Sequence, residues 1–229
     1  FFTKAQNQAL RKARGRYILI LNSDTIISPG TLDKVITFLD RHPKIGALGI
    51  KHIYPTGALE QTCQRLTTPW IEFLDTNIVT NTISKLRKKQ FEILDYIKYA
   101  RWDRKSSRYA EAVSDACLFA PRALIEKIGY YDERYLLFFT ENDLCLRIRK
   151  EGYSCYHYAN AAITHVRAQS VSQFRPKKTY GFYEHDMLAY YKKYFGITSW
   201  FFLYLTTRIN WLYYMLEPVW AKYKNGAKA

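Results

Sequence analysis

Apolar positions recur along this chain with two different periods. Ala5, Ala9, Leu10 and Ala13 fall on one helical face of a segment from Thr3 to Ala13. Thr3 is placed to cap that segment and Gly15 to stop it. Tyr17-Ile-Leu-Ile-Leu21 then runs without a polar break, the pattern of a strand covered on both faces in a parallel sheet. Polar Asn22-Ser-Asp24-Thr ends it. Ser28-Pro29 predicts a helix start, with Leu32, Val35, Ile36 and Leu39 facing inward and Pro43 beyond the end. A further strand is predicted over 45–54, followed by a turn at Pro55-Thr-Gly57. Helix, strand and helix in such close succession predict an α/β domain.

The stretch from about Trp70 to Arg108 lacks clean periodicity, and its part from Lys85 to Arg108 carries nine basic and three acidic residues. It reads as a basic, partly helical surface insertion. Order resumes with a buried strand over 112–120 and a short helix over 122–128 closed by Gly129. A helix over 141–151 follows, with Thr140 as cap and Gly152 as stop, and then strands over 153–158 and 161–165. Residues 1–170 thus form one α/β domain and 171–229 a helical C-terminal region. The tail from Phe195 to Trp220 is rich in aromatics but broken by Arg208, Asn210 and Glu217, and Pro218 bends or ends any helix there. Two readings stand. One is a helix in the membrane interface, with Lys222, Lys224 and Lys228 facing anionic lipid. The other is a helix packed on protein.

Composition narrows the classes. Of 229 residues, 48% are apolar, which excludes a disordered chain, and the net charge is +15. Such a charge predicts anionic partners: nucleic acid, an anionic membrane or a phosphorylated small molecule. No uncharged apolar run reaches about 18 residues, the length of a membrane-spanning helix. Cys63, Cys117, Cys145 and Cys155 lie in apolar stretches without Cys-x-x-Cys spacing, as reduced cytosolic core cysteines do. The chain opens on Phe1 rather than Met and reads as part of a longer polypeptide.

Three places carry candidate chemistry. Asp24 sits where the first strand ends, the place where ligands gather in an open α/β sheet. A carboxylate there either holds Mg²⁺ or Mn²⁺ against a diphosphate or caps a turn. Glu141 and Asp143 occupy the first turn of a helix, where the helix dipole favours acids in any case, and Thr140 with Asp143 resembles a capping pair. The functional alternative makes Glu141 a general base beside the Phe-rich wall of Phe138 and Phe139. His165 ends a strand before a polar loop, as a ligand or as a structural residue.

Taken in order, these residues resemble the inverting glycosyltransferases of family 2, in the rhamnosyltransferase-like branch. Phe2-Thr-Lys-Ala5-Gln-Asn7 and Ala13-Arg-Gly15 through Asn22-Ser-Asp24-Thr25 are similar to the entry into the family's metal-binding Asp-x-Asp-like motif, here Asn-x-Asp. Gly57, Arg65 and Pro69 resemble a downstream Gly…Arg…Pro stretch. Val113 to Arg122 and Ile128-Gly-Tyr-Tyr-Asp132-Glu133 resemble the approach to the catalytic segment. Glu141-Asn-Asp143-Leu-Cys-Leu-Arg147 with Gly152-Tyr153 resembles that segment itself. His165 and Ser170 resemble its terminal His…Ser element. Glu141 stands where the family's base is usually Asp, and Asp115 where many members have Gly. The processive synthases' Gln-x-x-Arg-Trp is missing: Arg101-Trp102 precedes the acidic segment and has Lys98 in place of Gln.

The resemblance implies an α/β GT-A-like, mostly parallel sheet flanked by helices, with two nucleotide-binding strands lying before Phe1. The chain by itself would then lack much of the nucleotide pocket. It implies transfer with inversion of a sugar, rhamnose by resemblance, from a nucleotide-diphosphate donor to a glycan or lipid-linked acceptor of cell-surface polysaccharide. Glu141 would be the base. Asp24 and His165 would hold Mg²⁺ or Mn²⁺, and Asn7, Asn22, Arg65, Asp115 and Asp143 would contact substrates. The location implied is cytoplasmic, peripheral on the inner face of an anionic membrane. Two other classes stand beside it: an inactive family relative serving as an assembly partner, and a basic nucleic-acid-binding module. The second is disfavoured because no nucleic-acid motif accompanies the basic cluster.

Overall fold

A computed structural model describes residues 2–86, 92–166 and 176–226. The chain forms two compact units, Phe1–Leu66 with Asp95–Gln173, and Thr67–Leu94 with Phe174–Ala229. The stretch expected as one surface insertion, 70–108, is therefore divided between them.

The first unit holds α1 (Phe2–Leu10), β1 (Tyr17–Leu21), β2 (Thr25–Ile27), α2 (Thr31–Arg41), β3 (Ile45–Ile53), β4 (Arg108–Ala110), β5 (Cys117–Pro121), α6 (Arg122–Lys127), α7 (Thr140–Lys150) and β6 (Ser154–His165). The strands lie in the order β1-β5-β3-β6-β2, and β4 also pairs with β6. Among the described residues only β3 and β6 run parallel; β1–β5, β3–β5, β2–β6 and β4–β6 are antiparallel. The expected mostly parallel sheet is thus a mixed one. The unbroken apolar runs behind that expectation report cover on both faces, which does not depend on strand direction.

That double cover is visible in the packing. Ile18, Ile20, Ala47, Leu118 and Ala120 point to one face, where Leu144, Cys145 and Ile148 of α7 and Leu124 of α6 meet them. Leu48, Ile50, Cys117, Phe119 and Ile163 point to the other, against Val35 and Leu39 of α2. Gly46 in β3 is required by the first face. A Cβ there would lie 2.6 Å from Ile148 Cγ2 and 2.7 Å from Leu124 Cδ2, so any side chain would lift both helices off the sheet.

The loops are held by buried polar side chains. Thr3 Oγ1 donates to the Tyr135 carbonyl at 2.6 Å. Arg104, 1% exposed, donates to the carbonyls of Thr62, Cys63, Lys98, Tyr99 and Trp102. One guanidinium thereby satisfies a turn that would otherwise bury bare carbonyls. Within residues 95–104, Ile97, Tyr99, Trp102 and Arg104 are in this way buried in the first unit, with Tyr99 and Trp102 in its apolar core. All four cysteines are buried thiols.

The second unit contains α3 (Pro69–Thr76), α4 (Ile78–Leu86) and α8 (Pro176–Gly226), and α5 (Glu92–Ile97) begins at its end. Thr68 caps α3, with Pro69 in its first turn. Asn210 of α8 accepts from the Ile78 N–H at 2.8 Å and donates to the Thr76 carbonyl at 3.1 Å, bridging the α3–α4 junction. Gly196 interrupts α8 with φ 83° and ψ −178°, a conformation open to glycine. Helix continues through Pro218, where a bend or an end was expected. The side chains of Lys222 and Lys224, and all of Lys228 and Ser170, lie outside the described residues. No helix among the described residues is long and apolar enough to cross a membrane.

Candidate active site

Two polar clusters form in the first unit. The first collects where β2, β3 and β6 end. Thr25 pairs with His165 in the antiparallel β2–β6 ladder, and the Val166 N–H donates to the Asp24 carbonyl at 2.9 Å, so the start of β2 meets the end of β6. His165 Nε2 comes within 3.4 Å of Asp24 Oδ1, and its Nδ1 lies 2.8 Å from Glu60 Oε2. His52, near the end of β3, places Nδ1 3.3 Å from the same Glu60 oxygen. Burial alone would raise the Glu60 carboxyl, but the hydrogen bonds and charges of the two imidazoles overcome it and bring the pKa down to about 2.

The second cluster lies at the start of α7. Phe139, just before the helix, adopts a left-handed conformation with φ 58°, uncommon for a bulky side chain and of the kind found at functional sites. The expected cap at Thr140 is not formed: α7 begins with Thr140 itself, and no side chain caps it. Thr140 instead donates its hydroxyl toward Asp115 Oδ2 at 2.8 Å and toward Glu141 Oε2 at 3.2 Å. Tyr131 OH donates to the same Asp115 oxygen at 3.1 Å. Removal from water, with the Asp115 charge beside it, pushes the Glu141 carboxyl up to about 7. Burial raises Asp115 as well, against the lowering effect of its hydroxyl donors.

The two clusters stand on adjacent strand ends. The Asn22 N–H donates to the Ala116 carbonyl at 3.0 Å, continuing the β1–β5 ladder. Asp24 follows two residues after that bond and Asp115 immediately precedes its partner. No hydrogen bond or ion pair among the described residues joins Glu141 directly to Asp24 or His165.

The remaining expected site residues divide. Asn22 sits half-buried at the strand end between the clusters, its carbonyl accepting from Thr25 Oγ1 at 2.6 Å. Asn7 is buried and bonded within the protein. Its carboxamide donates to the Tyr131 carbonyl at 2.9 Å and Glu133 Oε1 at 3.0 Å, and accepts from the Tyr131 N–H at 2.9 Å. Both donor hydrogens and the oxygen are thereby engaged in holding the 131–133 turn. Asp143 is likewise engaged within the protein. It is 0% exposed, accepts from Tyr135 OH at 3.3 Å and pairs with Arg147, whose Nε lies 2.8 Å away one turn along α7. It braces the helix on its inner side. Arg65 belongs to neither cluster: its Nη1 donates to Glu111 Oε1 at 3.0 Å.

His52 and Glu60 are the residues that sequence reasoning missed. Ligand atoms of His52, Glu60 and His165 all lie within 4.8 Å of one another. Asp24 stands outside that group, at the other ring nitrogen of His165; an imidazole nitrogen and a carboxylate oxygen facing each other are donors that suit a divalent cation. Glu60 also performs a supporting role, since its bond to Nδ1 of His165 leaves Nε2 aimed at Asp24.

Comparison with known proteins bears on this arrangement. A family model described as glycosyltransferase like family 2 matches residues 2–183. An O-antigen biosynthesis protein of Myxococcus xanthus is 24% identical over 165 residues, covering 72% of this chain and 12% of that protein. The N-acetylglucosaminyl-diphospho-decaprenol L-rhamnosyltransferase of Mycobacterium tuberculosis is 22% identical over 159 residues, covering 69% of this chain and 49% of that enzyme. The chain thus spans about half or less of these curated relatives. Among solved structures, a mannosyltransferase from Pyrobaculum calidifontis in complex with GDP-Man and Mn²⁺ superposes with TM-score 0.45 and 13% identity, over 83% of this chain and 42% of that one.

Proposed function

The chain belongs to the glycosyltransferase-like family 2, and on that premise we propose that it serves an inverting sugar transfer from a nucleotide-diphosphate donor to a glycan or lipid-linked acceptor. The observation that carries the reading is the meeting of Asp24 and His165 at 3.4 Å, 141 positions apart in sequence, beside the strand end that bears Asp115. Rhamnose is the favoured sugar, because the mycobacterial relative is named a rhamnosyltransferase acting on a lipid-linked diphosphate.

In this reading Asp24 and Nε2 of His165 hold Mg²⁺ or Mn²⁺, with Glu60 and His52 fixing the His165 ring. The imidazole nitrogen favours Mn²⁺ over Mg²⁺. A divalent ion held there would supply positive charge against the donor diphosphate. Glu141 accepts the proton of the acceptor hydroxyl. That oxygen bonds to the anomeric carbon while the carbon–diphosphate oxygen bond breaks on the opposite side, which inverts the centre. A carboxyl with a pKa of about 7 is well matched to this task near neutrality, strong enough as a base yet still largely ionised just above that pH. Thr140 holds the Glu141 carboxylate, and Tyr131 and Thr140 hold the Asp115 carboxylate that borders the acceptor hydroxyl beside it.

The second unit supports attachment to an anionic membrane. Ile197, Phe201, Leu205, Ile209 and Leu212 are exposed on α8 and recur every three or four residues, so they line one helical face. Lys192 and Arg208 belong to the same helix, and the chain's charge is +15.

The test is turnover of radiolabelled nucleotide sugar by wild type and Glu141→Gln, with donor binding measured in parallel. Loss of transfer with donor binding retained is expected. Near-normal turnover in the variant would remove Glu141 from the role.

A further inference from the structure

A cavity of about 320 Å³ opens in the first unit, bounded by the start of β6, β4 and the last turn of α7. It lies away from both clusters of the candidate active site. Arg149 follows Glu141 by eight residues of α7, a helix rise of about 12 Å. Ser154 and Cys155 in its wall stand at the opposite end of β6 from His165.

The lining is unbalanced in charge. Arg65, Arg108 and Arg149 contribute three guanidinium groups and Glu111 one carboxylate. Glu111 is already engaged: it takes Arg65 Nη1 at 3.0 Å, the Leu66 N–H at 3.0 Å and Arg149 Nη1 at 3.8 Å. Among the described residues Arg108 has no carboxylate partner. Its guanidinium rests over the rings of Tyr99 and Trp102, each 5.1 Å away. Arg65 lies over Tyr96 and Tyr99 at 4.0 and 4.7 Å, and its Nε is buried without a hydrogen-bond partner. Cations held in place by aromatic stacking around a single occupied carboxylate make a preformed anion site.

The walls also carry aromatic faces and neutral hydrogen-bonding groups. Tyr109 is 64% exposed at the mouth, and Tyr153 and the Ser154 hydroxyl complete the lining. The volume is at the lower end of the ~300–1000 Å³ range of ligand pockets, enough for one ring with a substituent. We propose that this cavity is a second binding site, for a saccharide unit bearing an acid group, phosphate or carboxylate. Arg108 and Arg149 take the acid, and the tyrosine rings lie against the sugar. The inference goes beyond the catalytic reading and does not depend on it.

Isothermal titration of the protein with glucose 6-phosphate, glucuronate, glucose and inorganic phosphate tests it, and the first two arms separate a phosphate from a carboxylate source. Glucose 6-phosphate or glucuronate is expected to bind at least about tenfold more tightly than glucose, the size of a charge-assisted contact. Each of Arg108→Ala and Arg149→Ala, both on exposed side chains, should weaken that binding about tenfold. Tyr109→Ala should weaken the sugar acid but not inorganic phosphate. Asp24→Asn should leave all of these values unchanged, which separates this site from the catalytic one. Equal binding of glucose and its phosphate overturns the proposal, as does inorganic phosphate binding as tightly as glucose 6-phosphate. Insensitivity to both arginine substitutions, or no binding of either sugar acid, overturns it equally.

Discussion

Glu60 and Glu141 are the same side chain in two settings, and they are poised in opposite directions. Both are withdrawn from water, which by itself raises a carboxyl pKa. At Glu60 two imidazoles 2.8 and 3.3 Å away reverse that effect and bring the pKa to about 2. At Glu141 the nearest charged neighbour is Asp115, a like charge, which adds to burial and carries the pKa to about 7. One carboxylate is therefore fixed as an anion, suited to orienting histidines beside a cation. The other exchanges its proton near neutrality, suited to acid–base work. Burial is the larger cause at Glu141, with the Asp115 charge adding to it, whereas at Glu60 the two imidazoles outweigh a weaker burial.

The largest expected effect is on transfer itself. Glu141→Gln keeps the shape but removes the exchangeable site, and kcat is expected to fall by about 10²–10⁴, the usual range for a general base. Next come the metal-side residues. Asp24→Asn and His165→Ala should each weaken Mn²⁺ binding, followed by electron paramagnetic resonance, by about 100-fold or more. Glu60→Gln, acting through the His165 ring, should weaken it about 10–100-fold. Equal losses in all three would show that Glu60 is itself a ligand.

Smaller effects concern stability and its sign. The folded pKa of Glu60 lies below its ordinary 4.5, so its contribution is present above that pH and lost as pH falls toward 2. Urea unfolding of Glu60→Gln should show a shallower loss of stability across that window than wild type. Glu141 has the reverse sign. Its raised pKa means that stability present below pH 4.5 is lost as pH rises through about 7. Glu141→Gln should therefore gain about 1–2 kcal/mol on wild type between pH 5 and pH 8. The full shift would give more, but the carboxyl is partly open to solvent.

Much of this was legible in the sequence where the signal is local. Asp24 follows an apolar run, Glu141 opens a helix and His165 ends a strand, and each position was readable from its neighbours in the chain. His52 and Glu60 were not. His52 is hidden in the apolar pattern of β3, and Glu60 follows a turn with no periodicity of its own. They reach His165 only through the parallel β3–β6 pairing, which no short window contains. Asn7 and Asp143 differ in the opposite way. Their places in the motif were visible, but tertiary hydrogen bonds to Tyr131, Glu133, Tyr135 and Arg147 turn them into braces. In the basic stretch before Arg108 the charges do not all face water: Arg101 and Lys105 are exposed, but one charge is not. Arg104 is buried among five carbonyls, where a guanidinium's fork of donors is an advantage.

The pH dependence of kcat/KM for sugar transfer, compared between wild type and Asp115→Asn, tests the opposed poise of the two carboxylates most directly. Activity should rise with pH along a limb centred near 7 in wild type. Removing the neighbouring charge in the variant should move that limb toward acid by about one unit. A rate independent of pH between 5 and 9, or a limb that stays in place when Asp115 is neutralised, would contradict the account.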